Sequence, residues 1–110
     1  MIEELLASLV ERFNRHAEKN PAIAEELDGV ERTIAVKVTD EGNYGVDLLK
    51  ARLVNLRKGS VPHADLTITT DSRTFEGLVK KEIGPMKAIV THKLLIDGSL
   101  DDKLLFRKLL

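Results

Sequence analysis

The sequence of 110 residues contains no cysteine. That absence removes disulfides, thiolate nucleophiles and cysteine-based metal sites together, and it suits a reducing compartment. Aromatic residues are scarce at 4%, which leaves Phe75 and Phe106 as the main rigid apolar surfaces and Met86 as a compliant one. Neither sign of charge dominates. Seventeen Lys and Arg residues stand against 18 acidic ones, so the net charge offers no basic field for nucleic acid and no steering toward an acidic membrane. No apolar run approaches the ~18 residues of a membrane span, and Met1-Ile2-Glu3-Glu4 is acidic where a secretory signal would be basic. With no internal repeat or low-complexity linker, the composition leads to the expectation of a cytoplasmic protein forming one domain over residues 1–110.

What the sequence does contain is a change of period. Ile2, Leu5, Leu6, Leu9, Phe13 and Ala17 fall on one helical stripe, with Glu3, Glu4, Glu11, Arg12 and Arg15 mostly elsewhere around the wheel. Asn20-Pro21 ends this helix of about four turns, and Ala22 to Gly29 form an acidic connector with room for one further turn. After Gly29 the period becomes two. Ile34, Val36 and Val38 share one face, Asp40-Glu41-Gly42-Asn43 supplies a turn, and Tyr44 to Ala51 and Arg52 to Arg57 are two further strands, with a bend expected near Leu49 to Arg52.

The stretch from Ala64 to Leu110 carries the most information. Leu66 and Ile68 alternate with Asp65, Thr67 and Thr69, the pattern of a half-buried strand. Asp71 or Ser72 can cap a helix that carries Phe75, Leu78 and Val79 at the i, i+3, i+4 spacing of one face. Gly84-Pro85 stops it and opens a second turn with Met86, Ile89 and Val90, before Lys93 to Gly98 returns to extended chain. Ser99 precedes Asp102 by three residues, a variant of the capping box, and Arg107 and Lys108 sit where the dipole of a last helix favours cations. The order of elements implies an α+β fold, a five-stranded and mostly antiparallel sheet with helices on one face.

These residues resemble the sterol carrier protein-2 family of non-specific lipid carriers, in order as well as in type. The family pattern A-D-x-T-I-T, a helix, x-P-x-x-A, then G-K-L-x-I-x-G and a Leu/Lys-rich helix is met by Ala64 to Thr69, Gly84 to Ala88, and Lys93 to Gly98. Ile34 to Asp40 and Val46 to Leu48 look like the family's first two strands, so the similarity runs from about Val30 to Leu110. Two departures stand beside the expected cavity: His92 replaces the usual Gly before Lys-Leu, and Lys80-Lys81 replaces a common Gly-Lys. Relatives in peroxisomes end in an address of the Ser-Lys-Leu kind, whereas this sequence ends Lys108-Leu109-Leu110.

Catalytic patterns are weak by comparison. Ser60, His63 and Asp65 crowd within six residues, but no G-x-S-x-G elbow or glycine-rich oxyanion loop accompanies them, and a polar turn entering a strand accounts for them. His63 and Asp65 share a strand face without the three or four ligands that a metal needs. His16 lies on a solvated part of the first helix. Asp101 and Asp102 point apart on a helix, where capping accounts for them. Gly42-x-x-Gly45 lacks the third glycine and the strand-to-helix context of a dinucleotide fingerprint. No catalytic residue, metal or cofactor is therefore expected, and the protein is not expected to be an enzyme.

The resemblance instead implies a cavity between sheet and helices, with Phe75, Leu78, Val79, Ile83, Met86, Ile89, Val90, Leu100 and Leu104 as its lipid-binding wall. His92 adjoins it and can hydrogen-bond a carboxylate or hydroxyl head group, although a solvent-facing or locally satisfied histidine is the favoured reading. The implied partners are a fatty acid, acyl-CoA, phospholipid or sterol-like molecule, with transient contact to a membrane and none to nucleic acid. An aliphatic stripe at helical spacing is also what an ordinary closed core looks like. The competing expectation is accordingly a non-catalytic interaction module, with a homodimer or partner contact through Leu104, Leu105, Leu109 and Leu110.

Overall fold

The apolar stripe of the first helix is matched by a sheet face of complementary chemistry. The computed structural model describes residues 2–109, and the side chains from Leu105 onward lie outside the described set. Helix α1 (Ile2–Lys19) buries Ile2, Leu6, Phe13 and Ala17 and leaves most of its charges exposed. Asn20 ends it and caps α2 (Pro21–Glu26), accepting the Ala22 N–H, with Pro21 at the first helical position, where a missing N–H is harmless.

Strands β1 (Arg32–Val38), β2 (Gly42–Leu49) and β3 (Arg52–Lys58) form an antiparallel meander. Strand β4 (Leu66–Thr70) then crosses to the far side of β1 and pairs with it in parallel, Ile34 opposite Leu66. Helices α3 (Ser72–Val79) and α4 (Pro85–Val90) intervene before β5 (Leu94–Gly98) returns antiparallel to β4, and α5 (Leu100–Leu109) closes the order. The five strands lie as β3-β2-β1-β4-β5, mostly antiparallel. Alternation puts Ile34, Val36, Val46, Leu48, Leu66 and Leu94 on the inner face, all buried in the core. On the outer face Gly45 lets the loop after β3 approach: a side chain there would meet the Val61 methyl at 2.4 Å.

The bend expected between Leu49 and Arg52 is a two-residue hairpin turn in which Lys50 (φ 52°) and Ala51 (φ 61°) are both left-handed. Such turns match strand twist but favour Asn-Gly, because a Cβ clashes in that region. A few residues on, β3 carries an extra residue against β2, and Asn55 (φ 57°) absorbs it.

The helix caps follow the sequence signals with one change of partner. Asp71 caps α3, accepting from the Thr74 N–H at 2.7 Å. Ser99 accepts the Asp102 N–H at 3.1 Å, but the Asp102 carboxylate does not reach back to complete a capping box; it accepts from Arg32 Nε at 2.6 Å and ties α5 to the start of β1. At the opposite end of β1, Asp40 accepts both the Ser72 N–H (2.8 Å) and the Ser72 hydroxyl (2.5 Å). These two bonds hold the Asp40 carboxyl below its ordinary value of 3.8.

Two expectations follow. Replacing Lys50 with Asn and Ala51 with Gly should raise the unfolding free energy by about 1 kcal/mol in urea titration, since the relief of two left-handed residues outweighs one lost methyl. Because folding lowers the Asp40 pKa, its contribution is complete above the unfolded value and is lost as pH falls through the folded one. Asp40→Asn should therefore lower the urea midpoint at neutral pH and flatten its dependence on pH below about 4.

Candidate functional site

Between the helices and the inner sheet face lies a partly open space lined by apolar side chains. It measures about 50 Å³ and is lined by Leu6, Leu9 and Val10 of α1, Phe75, Leu78 and Val79 of α3, and the inner-face residues Ile34, Val36, Val46, Leu53, Ile68 and Leu94. The geometry follows from two periods meeting. The strands present every second residue, and α1 and α3 present the i, i+3, i+4 residues of their stripes. Nothing on this wall can donate or accept a hydrogen bond, so it can exclude water and hold hydrocarbon but cannot orient a reacting group.

The roof is fastened by polar contacts at its edges. The Asn14 amide accepts the Leu53 N–H at 2.7 Å and donates to the Leu53 carbonyl at 2.9 Å. In doing so it occupies the outward backbone groups of β3, an edge strand. Arg12 Nη2 donates to the Val79 carbonyl at 2.9 Å, where the end of α3 leaves carbonyls unpaired and favours a cation. Glu18 and Arg52 form a further ion pair between α1 and β3, both well exposed and so of little energetic weight. Outside the roof, Val10 also lines a surface groove of about 350 Å³ between α1 and β3, whose rim carries Glu11, Asn14, Arg15, Glu18 and Arg52. Val10 alone is shared by groove and inner cavity.

Of the nine side chains expected to form the wall, the fold brings Phe75, Leu78 and Val79 together on the cavity. Ile83 and Ile89 pack against the core without reaching it, Ile83 folding onto Gly77, where a Cβ would meet it at 2.5 Å. Met86, Val90, Leu100 and Leu104 are a correction: they are 67%, 70%, 73% and 50% exposed and do not line the cavity. On the six-residue α4, Ala88 and Ile89 take the inward side, which turns Met86 and Val90 outward. The sequence reading missed the contributions of α1 and the sheet, although the stripe through Leu6 and Leu9 and the alternation of Ile34 and Val36 were its available signals. Phe106 and the contact surface expected from Leu105, Leu109 and Leu110 lie outside the described residues.

One of the two departures from the family pattern has a backbone meaning: His92 (φ 60°) is a left-handed residue just past the end of α4, a position that suits glycine. Lys80, which stands for the other glycine, keeps an ordinary right-handed backbone (φ −81°) at the end of α3, and the left-handed residue there is its neighbour Lys81 (φ 61°). His92 is exposed and does not line the cavity, in keeping with a solvent-facing histidine and not with a head-group contact. His63 is likewise an exposed left-handed turn residue, and Asp65 accepts the Thr33 N–H at 2.8 Å. Among the described residues no three His, Asp or Glu side chains gather as metal ligands would, and no helix is long and apolar enough to cross a membrane.

Residues 10–110 match the model of the SCP-2 sterol transfer family. No curated protein matches the sequence significantly. Among solved structures the fold is similar to that of sterol carrier protein 2-like 2 from Aedes aegypti, at 15% identity and a TM-score of 0.54, over 94% of this chain and 96% of that one. The palmitated form of the same mosquito protein gives 18% identity and 0.56, over 89% and 86%. The stereoselective inverting sec-alkylsulfatase Pisa1 from Pseudomonas sp. gives 22% and 0.63 over 78% of this chain, but the chain spans only 13% of that enzyme and 14% of a double mutant of it. At these identities the likeness is one of fold.

The Asn14 clasp gives a direct test of the roof. Asn14→Ala should cost about 2 kcal/mol in denaturant unfolding, because two partly buried backbone groups lose their partner. Asn14→Asp should also destabilise, since an ionised carboxylate cannot donate to the Leu53 carbonyl. Amide exchange at Leu53 should quicken in both variants.

Proposed function

The chain belongs to the SCP-2 sterol transfer family, and we propose that it carries a fatty-acyl or sterol-like lipid between α1, α3 and the inner sheet face, with no bond made or broken. The observation that carries this reading is the wall itself. Twelve side chains from α1, α3 and all five strands meet there, and none is polar. Family membership supports lipid binding and transfer in general terms, and the ligand class is argued from the chemistry of the wall.

Magnitudes shape the mechanism. Drug-sized ligands occupy pockets of roughly 300–1,000 Å³, several times the volume of about 50 Å³ in this cavity. A void of the smaller size costs about 1 kcal/mol, whereas one of ~300 Å³ would cost on the order of 7 kcal/mol, comparable to the stability of a domain. The cavity is therefore best read as expandable, with ligand entry forcing the roof from the sheet. Burying a ~16-carbon chain from water gains roughly 12 kcal/mol, but a chain leaving a bilayer has already gained about that much. Exchange with a membrane is then nearly balanced and reversible, as carrying demands. An aliphatic wall rejects a wrong shape by only ~1–3 kcal/mol, so several chain types should be accepted.

Native mass spectrometry of the purified protein, followed by organic extraction, should show a stoichiometric lipid or uptake of added palmitate. A mass without lipid and no uptake of fatty acid, acyl-CoA or sterol would overturn the reading. Leu9→Trp fills the cavity from the roof, and should weaken a fluorescent fatty acid by about ten- to a hundredfold with the circular dichroism spectrum retained. Leu100→Trp, outside the cavity, should leave binding unchanged.

A further inference from the structure

The side chains that the cavity leaves out form a surface of their own. On α4 the exposed Met86, Lys87 and Val90 fall within an arc of about 100° on the helical wheel, opposite the buried Ala88 and the core-packed Ile89. Met86 and Val90 are among the most exposed large apolar side chains described. They sit in a locally basic stretch of the chain. From Lys80 to Lys93 there are four lysines against the single acid Glu82, in a sequence where acids otherwise outnumber bases. Lys80 is paired with Glu76 at 2.6 Å, while Lys81, Lys87 and Lys93 are exposed and make no ion pair among the described residues. The overall charge balance conceals this local excess.

Exposed apolar side chains on a lysine-bearing segment are what an interfacial helix offers to an anionic bilayer: the hydrocarbon enters the head-group boundary and the ammonium groups meet lipid phosphates. A hydrophobic partner protein would leave the three lysines without counter-charge. We propose that the outward face of α4, with Lys81 and Lys93 beside it, is the surface by which the protein docks on an anionic phospholipid membrane. The inference rests on the carrier reading, which requires a membrane as donor or acceptor. It also places the membrane next to one wall of the cavity. The segment from Lys80 to Gly84 links α4 to α3, and the Glu82 and Ile83 N–H groups donate back to the Gly77 carbonyl of α3 at 2.8 and 3.2 Å.

The chain contains no tryptophan, so Met86→Trp installs a single reporter. Vesicles of phosphatidylcholine with phosphatidylglycerol should shift its emission to the blue, and vesicles of phosphatidylcholine alone should require at least about tenfold more lipid for the same shift. Added salt should reverse the difference. Leu56→Trp on β3, remote from α4, should not shift. Reversing charge at Lys81, Lys87 and Lys93 to Glu in the reporter background should weaken vesicle binding about tenfold or more, with fatty-acid binding unchanged. The inference fails if the Met86→Trp emission is unmoved by anionic vesicles, if it shifts with protein concentration alone, as burial against a second copy would cause, or if the Leu56 reporter responds instead. Fatty-acid uptake is measured alongside: uptake without a vesicle shift overturns the docking surface alone, and a vesicle shift without uptake overturns the carrier reading alone.

Discussion

The structure depends on one constraint: the inner face of the sheet must be covered, and α1 is the element that covers its meander half. Without Leu6, Leu9 and Val10 over Ile34, Val46 and Leu53, the meander would present an open aliphatic surface to water. The contact is nonetheless lightly secured. Its apolar part is non-directional and surrounds a gap, and its polar part is peripheral: the Asn14 clasp, the Arg12 bond to the end of α3 and two exposed ion pairs, Glu18 with Arg52 and Glu3 with Lys58. Non-directional packing tolerates a slide or a lift that a buried hydrogen-bond network would not. A roof of this kind keeps the sheet dry and still allows the space beneath it to change size.

Most of the architecture was legible in the sequence because its signals are local. Alternation located β1 and β4, proline located the starts of α2 and α4, and Asp71 and Ser99 announced helix starts through bonds made within three residues. The turn at Lys50-Ala51 was visible only as a bend, since neither residue advertises the left-handed conformation it adopts. The partner of Asp102 was not legible at all. A carboxylate in a first helical turn suggests a cap, and only the tertiary fold brings Arg32 to it across 70 positions of chain.

The site was less legible than the fold, for a physical reason. A pair of apolar residues four apart states that a helix has a greasy side, without stating what that side faces. Phe75 with Val79 and Met86 with Val90 read alike in sequence, yet the first pair turns toward the cavity and the second toward solvent. What separates them is length and anchoring. The eight-residue α3 is wide enough to bury a full stripe, whereas the six-residue α4 spends its inward positions on Ala88 and Ile89. The resemblance to lipid carriers pointed to the helices after β4 as the wall and drew attention away from α1, which supplies a quarter of the lining side chains.

The parallel pairing of β1 with β4 has a consequence for how the chain assembles. The meander from Arg32 to Lys58 closes through short connections, whereas Ile34 meets Leu66 only after a separation of 32 residues. Long loops close late, because chain entropy is surrendered before the contact repays it. Until β4 arrives, β1 is an edge strand whose Ile34, Val36 and Val38 lie beside unpaired backbone groups, the arrangement most prone to recruit a second chain. The central strand of the finished sheet is thus the one whose second neighbour must come from farther along the chain, and its protection from a second chain depends on residues 59–65 completing that crossing.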